Sequence, residues 1–594
     1  MSHKPTDEQA QIIDAFAVGD GLTVAAGAGS GKTSTLRMVA DRSPRRRGLY
    51  LAYNRSVKDD AARTFPATVR AQTSHGLAYG PVATRYRDAG RAINGPRVPA
   101  QRVAEILRIN EPVRLAEDTA PLAPQQLARI ALATVAEFCK SGDLEITADH
   151  VPLLAGLDDP TVRRELGKAI LPYAHRAWAD ILDRHGRLRF EHNHYLKIFQ
   201  LSQPRLRADY LLVDEAQDLN PCVAAIAANQ THMQVVYVGD QCQAINGWNG
   251  AVDAMATAPG RRLYLTQSFR FGQRIADEAN KWLSILHADM RLRGFDQIDS
   301  RVDRADTPDA VLCRTNATAF SRVMAAASSG RRTALVGGGD GLAALARAAK
   351  QLQANQPTDH PEWLAFSSWR EVQQHVEQDD SASDMRVQVK LVDQYGPDVI
   401  LATADRLVPE QAAEVVISTA HKSKGREWPV VQIADDFVEP RPREDGRPGR
   451  VRRADAMLAY VAVTRARTVL DRHGLSWVDS YVPGAAPGRW YDPAVIMPDA
   501  PDELAGVGDD YRDDPAERIA AVAEVAPEFM QPADPGDEPV DADPGGPLLA
   551  PDGTPLAPAC LICTLDPAAC TCVLPSRWYA AAGRVAPLAV AARG

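Results

Sequence analysis

The stretch Leu22-Thr23-Val24-Ala25-Ala26-Gly27-Ala28-Gly29-Ser30-Gly31-Lys32-Thr33 decides the fold. Five residues that read as a buried strand run directly into a glycine-rich turn, and the turn opens a helix predicted over about 33–40. Backbone N–H groups in such a loop, backed by a helix N-terminus, converge on phosphate oxygens. Gly27, Ala28, Gly29, Ser30, Gly31, Lys32, Thr33 and Ser34 therefore form a predicted nucleotide cradle. In it Lys32 reaches the β- and γ-phosphates, and the Thr33 hydroxyl is a ligand for Mg²⁺. The strict pattern has Gly at its first position, where this chain has Ala26.

A second acidic motif, Asp214-Glu215-Ala216-Gln217-Asp218, follows the apolar run Tyr210-Leu211-Leu212-Val213. An acid at the end of a buried strand suits the Mg²⁺ that Thr33 holds, which assigns Asp214 to the metal. Glu215 is then the candidate base that orients and deprotonates the attacking water. Further apolar runs at 48–53 and 234–238 also end in polar residues, as in a parallel sheet with its active groups at the carboxyl ends of the strands. A second set of strands is read at 262–265, 310–313, 414–418 and 430–433.

The organisation expected from these patterns is α/β, with two parallel-sheet P-loop domains, each interrupted by a helical insertion. The first domain takes residues 1–85 and 186–260 around an insertion at 86–185. The second takes 261–320 and 409–490 around a smaller insertion at 321–408. Residues 491–555, rich in Pro, Asp and Gly, read as a disordered acidic linker, and 556–594 as a Cys-rich tail.

The formal charge of −9 is unevenly spread. Residues 498–545 hold fifteen acids against Arg512 and Arg518, so residues 1–497 carry a small positive balance. The acidic segment is a candidate docking site for a protein partner or a mimic of a polyanion. Basic residues are mostly Arg, a usage that suits a GC-rich bacterial or phage genome. No run of eighteen apolar residues spans a bilayer, and the first residues lack a secretory pattern, so the expected location is the cytoplasm of a bacterial or phage-infected cell. Cys139, Cys222, Cys242 and Cys313 read as reduced core residues. Cys560, Cys563, Cys570 and Cys572 form a dense cluster whose thiolates suit Zn²⁺, although the spacing is not that of a standard finger. An iron–sulfur cluster and an incidental tail are the other readings of those four. The letters His192-Asn193-His194 match a nuclease name, but that chemistry needs its residues spread over a ββα metal fold, which this segment does not offer.

Taken together, the motifs and their order over about residues 5–475 resemble superfamily 1 DNA helicases of the UvrD/Rep type, and most closely the F-box DNA helicase with its bacterial and phage relatives. The resemblance implies two RecA-like domains that bind ATP and Mg²⁺ and act on single-stranded and tailed duplex DNA. Thr6-Asp7-Glu8-Gln9 resembles the motif whose glutamine, here Gln9, reads adenine. Tyr53-Asn54-Arg55 and Thr73-Ser74-His75 resemble motifs touching single-stranded DNA, which implies roles for Tyr53, Asn54, Thr73 and His75. Gly239-Asp240-Gln241-Cys242-Gln243 resembles the motif coupling the γ-phosphate to DNA, with Gln243 as sensor and Trp248 stacking on a base. Gln267-Ser268-Phe269-Arg270 implies an adenine-stacking ring, Phe269, and an arginine finger, Arg270. The segment 418–428 implies DNA contacts from Thr419 and His421 and a ribose contact from Glu427, and Tyr460–Ala466 implies a second finger, Arg465. Tyr460 itself reads equally well as core packing. Ser34 stands where the family often has Arg, Asn246 where many members have Tyr, and Asn249 where many have Arg; Ala456 and Met457 replace usual basic residues. The family implies movement from 3′ to 5′ along a strand, in replication, repair or recombination. A motor that strips bound proteins with little unwinding, and a passive ATP-dependent switch, are the competing readings; two arginine fingers argue against the switch.

Overall fold

Uninterrupted apolar runs build the central strands. β1 (Leu22–Ala26), β2 (Gly48–Ala52) and β4 (Tyr210–Val213) are buried along their whole length, as strands covered on both faces must be. β3 (Val69–Thr73) buries only its first residue. With β5 (Gln234–Gly239) and β6 (Arg261–Leu265) they make a parallel sheet in the order β3-β2-β4-β5-β1-β6. A second six-stranded parallel sheet has the order β7-β13-β11-β8-β10-β9. Its strands are β7 (Arg301–Val302), β8 (Ala310–Cys313), β9 (Thr333–Leu335), β10 (Val415–Thr419), β11 (Trp428–Ile433) and β13 (Ala466–Asp471). β12 (Val451–Arg452) pairs with β14 (Ile496–Met497). The two RecA-like α/β sheets expected from the sequence are thus present. This computed structural model describes residues 4–482 apart from 117–120, 153–159, 246–253, 444–447 and scattered positions between 357 and 382, together with 496–497.

One strand assignment is corrected. The run at 262–265 was expected to open the second sheet, but β6 pairs in parallel with β1, Leu22 opposite Arg261 and Ala26 opposite Leu265. In a parallel sheet neighbours are set by crossovers distant in sequence, so the apolar content of a single strand does not reveal which sheet it joins.

The described chain forms two compact units, one of residues 4–42, 237–245 and 259–482, the other of 43–236 and 254–258. The first contains α1 (Asp7–Ala17), α2 (Lys32–Asp41) and the whole second sheet. A capping box starts α1: the Gln9 amide donates to the Thr6 hydroxyl, and the Thr6 amide donates to Gln9 Oε1. Trp282, fully buried and edge-on to Trp477, anchors a core that also holds Phe271, Leu312, Val431 and Tyr460. A second core around Val311, Phe320, Leu345 and Trp363 fills the other face of that sheet.

In the second unit the helices Pro124–Lys140, Pro160–Leu182 and His192–Leu201 pack around Phe138 and Trp178, whose rings meet edge to face. Arg91 ties this helical part together. Its guanidinium donates to the carbonyls of Ile181 at 2.9 Å and Leu188 at 2.8 Å, and lies over the ring of Phe190. Carbonyls at a helix C-terminus carry partial negative charge, so a cation among them stabilises the helix end.

Candidate nucleotide site

The loop after β1 has the backbone of a phosphate cradle. Gly29 and Gly31 take φ of +70° and +76°, a region that side chains with a Cβ disfavour. A Cβ on Gly29 would meet Arg270 Cβ at 2.6 Å and Ser268 Oγ at 2.7 Å. Gly31 caps α2 without a side-chain acceptor of its own. Ser30 is buried, and its hydroxyl has no hydrogen-bond partner among the described residues. An orphaned polar atom costs free energy unless something pairs with it, so its place in a glycine-built loop fits a polar, anionic ligand.

Beside Gly31 lies a flat surface. The Phe269 ring, 39% exposed, would be 3.6 Å from a Cβ on Gly31 and is edge-on to Phe295. Gln9 Nε2 donates to Thr35 Oγ1 at 3.0 Å, which orients the amide on the same side of α2. Glu8 fixes α1 here by accepting from the amide and hydroxyl of Thr266 at 2.8 and 2.6 Å. Ser34 is exposed in the first turn of α2.

The arginines come next. The Phe269 amide donates to Gly29 O at 2.8 Å, so Arg270 follows directly from a residue bonded to the glycine loop. The expectation that Arg270 belongs to the second sheet therefore changes: it hangs from the end of β6. Its side chain reaches toward the second sheet, where Nε donates to Glu427 Oε2 at 2.5 Å and Nη1 to Thr464 O at 3.2 Å. Arg465 is 1% exposed and fully engaged. Nε donates to Val461 O, Nη1 to Arg426 O, and Nη2 to Gln243 Oε1 at 3.2 Å and to Thr464 Oγ1 at 3.0 Å. Gln243 in turn donates to Asp240 Oδ2 at 2.6 Å, and Lys424 Nζ donates to the Gln243 carbonyl. Burial raises the Asp240 carboxyl above its ordinary pKa, while the positive charge of Lys32 acts the other way.

Tyr460 and Asp240 had no assigned role in the sequence. The Tyr460 hydroxyl accepts from the Ala28 amide at 3.2 Å and donates to Asp240 Oδ2 at 3.0 Å. Asp240 carried a signal, since like Asp214 it ends an apolar strand. Tyr460 carried none, because it sits within the apolar helix Arg453–Val463.

The other unit holds the acidic motif. The Tyr50 hydroxyl donates to Asp214 Oδ2 at 2.5 Å and the Glu215 amide to Asp214 Oδ1 at 2.9 Å. Glu215 has φ of +49°, left-handed for a residue with a side chain, and its Oε2 accepts from Gln217 Nε2 at 2.6 Å. Strained backbone of this kind concentrates at functional sites. Tyr50 and Gln217 were not singled out by the sequence; both orient the two acids. The Asp214 carboxylate is the donor chemistry that Mg²⁺ takes.

Asn54 and Thr73 act as helix caps, accepting from the amides of Val57 and Gly76. Tyr53 is half-buried at the end of β2. His75 Nε2 pairs with Asn193 Oδ1 at 3.3 Å, and burial lowers its pKa to about 4, so the ring is neutral at neutral pH. Thr419 is buried at the end of β10, and His421 is exposed just after it. Trp248, the acidic segment 498–545 and the cysteines at 560, 563, 570 and 572 lie outside the described residues.

Two parallel sheets and a glycine-built phosphate cradle place the chain in the class of RecA-like P-loop proteins. Comparison with known proteins agrees. A family model described as an AAA domain matches residues 9–249. The chain is similar to F-box DNA helicase protein 1 of Schizosaccharomyces pombe, 29% identical over 513 residues that cover 78% of this chain and 56% of the relative. It is also similar to F-box DNA helicase 1 of Gallus gallus, 28% identical over 503 residues, covering 79% and 49%. The chain thus spans about half the length of these curated relatives, both of which are eukaryotic.

Proposed function

We propose that this protein is a DNA-dependent ATPase that moves along single-stranded DNA and separates duplexes. One observation carries the reading: a phosphate cradle at Gly27–Thr33 lies in the same compact unit as two arginines, and hydrogen bonds connect that cradle to Arg465 through Tyr460, Asp240 and Gln243. Transfer of a phosphoryl group builds charge on its oxygens, and guanidinium groups stabilise that charge.

In this reading the backbone of residues 27–33 and Lys32 bind the phosphates of ATP, while Phe269 and Gln9 take the adenine and Glu427 the ribose. Arg270 and Arg465 are the fingers, Gln243 senses the terminal phosphate, and Glu215 takes the proton of the attacking water. Thr33 and Asp214 are the residues to hold Mg²⁺, which when bound neutralises phosphate charge. Tyr53, Asn54, Thr73, His75, Trp248, Thr419 and His421 are the residues assigned to DNA contacts. Hinge-like stepping driven by ATP is part of the same proposal, with Arg270 bonded to Glu427 and Thr464 of its own unit.

Polarity from 3′ to 5′ and work in replication, repair or recombination belong to the proposal, as do a protein partner for the acidic segment and Zn²⁺ in the Cys-rich tail. A cytoplasmic location also belongs to the proposal; a bacterial or phage setting rests on the Arg-rich composition, to which the two eukaryotic relatives add nothing. No described helix is long and apolar enough to cross a membrane. Duplexes carrying either a 3′ or a 5′ tail test the reading. Unwinding of the 3′-tailed substrate alone is the expected result. ATP-driven displacement of a bound protein without strand separation would favour the stripping motor, and inertness on both would end the proposal.

A further inference from the structure

We propose that Tyr460 is a positioning residue for phosphoryl transfer, its hydroxyl holding the phosphate loop and the sensor Gln243 in one register through Asp240. The inference rests on the ATPase reading above and adds to it a residue that otherwise passes for core packing. Tyr460 is fully buried on the helix Arg453–Val463, yet its hydroxyl is used in both directions: it accepts from the Ala28 amide of the loop and donates to Asp240. Asp240, also fully buried, accepts from the Cys242 amide at 3.1 Å and from Gln243 Nε2 at 2.6 Å.

This arrangement sets the polarity of the sensor amide. With its nitrogen committed to a carboxylate, Gln243 must turn its oxygen the other way, and that oxygen meets Arg465 Nη2 at 3.2 Å. Tyr460 lies on the helix Arg453–Val463 and Arg465 two residues beyond its end, with the Arg465 amide donating to Ala462 O at 3.2 Å, so a shift of the loop at Ala28 is passed both through Asp240 and through the end of that helix. A buried carboxylate that loses one donor either protonates or draws its remaining partners closer, and each response moves Gln243. Phenylalanine at position 460 would keep the ring packing and remove only this connection.

The test uses the full chain with Tyr460→Phe, Gln243→Ala and the double variant. ATP turnover is measured with saturating single-stranded DNA, and affinity is measured separately with a fluorescent ATP analogue. We expect Tyr460→Phe to lower kcat about tenfold or more while the Kd for the analogue changes by less than about threefold. In the double variant the two losses should not multiply, because both act through one amide. A kcat within about twofold of the unsubstituted protein, or losses that multiply fully, overturns the proposal. Should Tyr460→Phe melt at a much lower temperature, Asp240→Asn, which keeps the shape of the side chain, is expected to give the same split and the same non-additivity. Lys32→Ala distinguishes loss of the ATPase reading from loss of the role of Tyr460. If turnover survives that change, the ATPase reading itself fails; if turnover is abolished while Tyr460→Phe is normal, only the role of Tyr460 falls.

Discussion

Replacing Arg465 by Lys keeps a positive charge and removes a planar fork. The guanidinium donates to Val461 O, Arg426 O, Gln243 Oε1 and Thr464 Oγ1 at 2.9–3.3 Å, while only 1% exposed. A lysine brings one nitrogen and cannot reach acceptors on both edges of that plane. Buried acceptors left without a donor cost about 1–3 kcal/mol each, so Arg465→Lys should lower the melting temperature measurably. The catalytic loss should be larger, since arginine fingers contribute about 10³–10⁵ in rate, or about 4–7 kcal/mol of transition-state stabilisation. Assayed well below its melting temperature, the variant should show kcat reduced about a thousandfold or more, and affinity for a fluorescent ATP analogue within about tenfold. A folded Arg465→Lys protein that turns over ATP within about fivefold of the unsubstituted rate would refute the assignment of Arg465 to the reacting phosphate.

Other expectations follow from the same geometry. Glu215→Gln should reduce ATP turnover about 10²–10⁴-fold while nucleotide binding, followed by equilibrium titration, stays intact. Phe269→Ala removes an exposed ring beside Gly31; adenine nucleotides should bind about tenfold more weakly, whereas inorganic triphosphate, used as a competitor, should be unaffected. His194 is buried with its pKa lowered to about 3, and His75 sits at about 4, against an ordinary value of 6.5. Between those values and 6.5 the unfolded chain binds protons that the folded chain does not, so stability should be complete above about pH 6.5 and fall as pH drops toward 4. His194→Gln can still complete the helix cap that His194 makes with the Glu191 amide, and should narrow the gap between melting temperatures at pH 5 and pH 7.5.

The sequence was most readable where physics is local. Continuous apolar runs at 22–26, 210–213 and 310–313 became buried strands, and a glycine-rich turn between a strand and a helix became the cradle. β3 was not read as a strand, because an edge position left Arg70, Ala71 and Gln72 outside the core and erased the apolar pattern. Which sheet β6 joins depends on a partner over two hundred residues away, and no property of Arg261–Leu265 encodes that. The site shows the same division. Lys32, Asp214 and Glu215 follow from motif chemistry, whereas the hydroxyls of Tyr50 and Tyr460 matter through partners reached only by folding. Asn54 and Thr73 show the reverse case: the structure gives each a capping bond, a local role that the DNA assignment alone does not contain.

In the proposed function, clasping a triphosphate is coupled to holding a polynucleotide. The most direct measurement is the steady-state rate of ATP hydrolysis by the full chain, with and without a single-stranded DNA oligonucleotide. Stimulation of about tenfold or more, abolished by Lys32→Ala, is expected. Hydrolysis that proceeds at the same rate whether or not the oligonucleotide is present would contradict it.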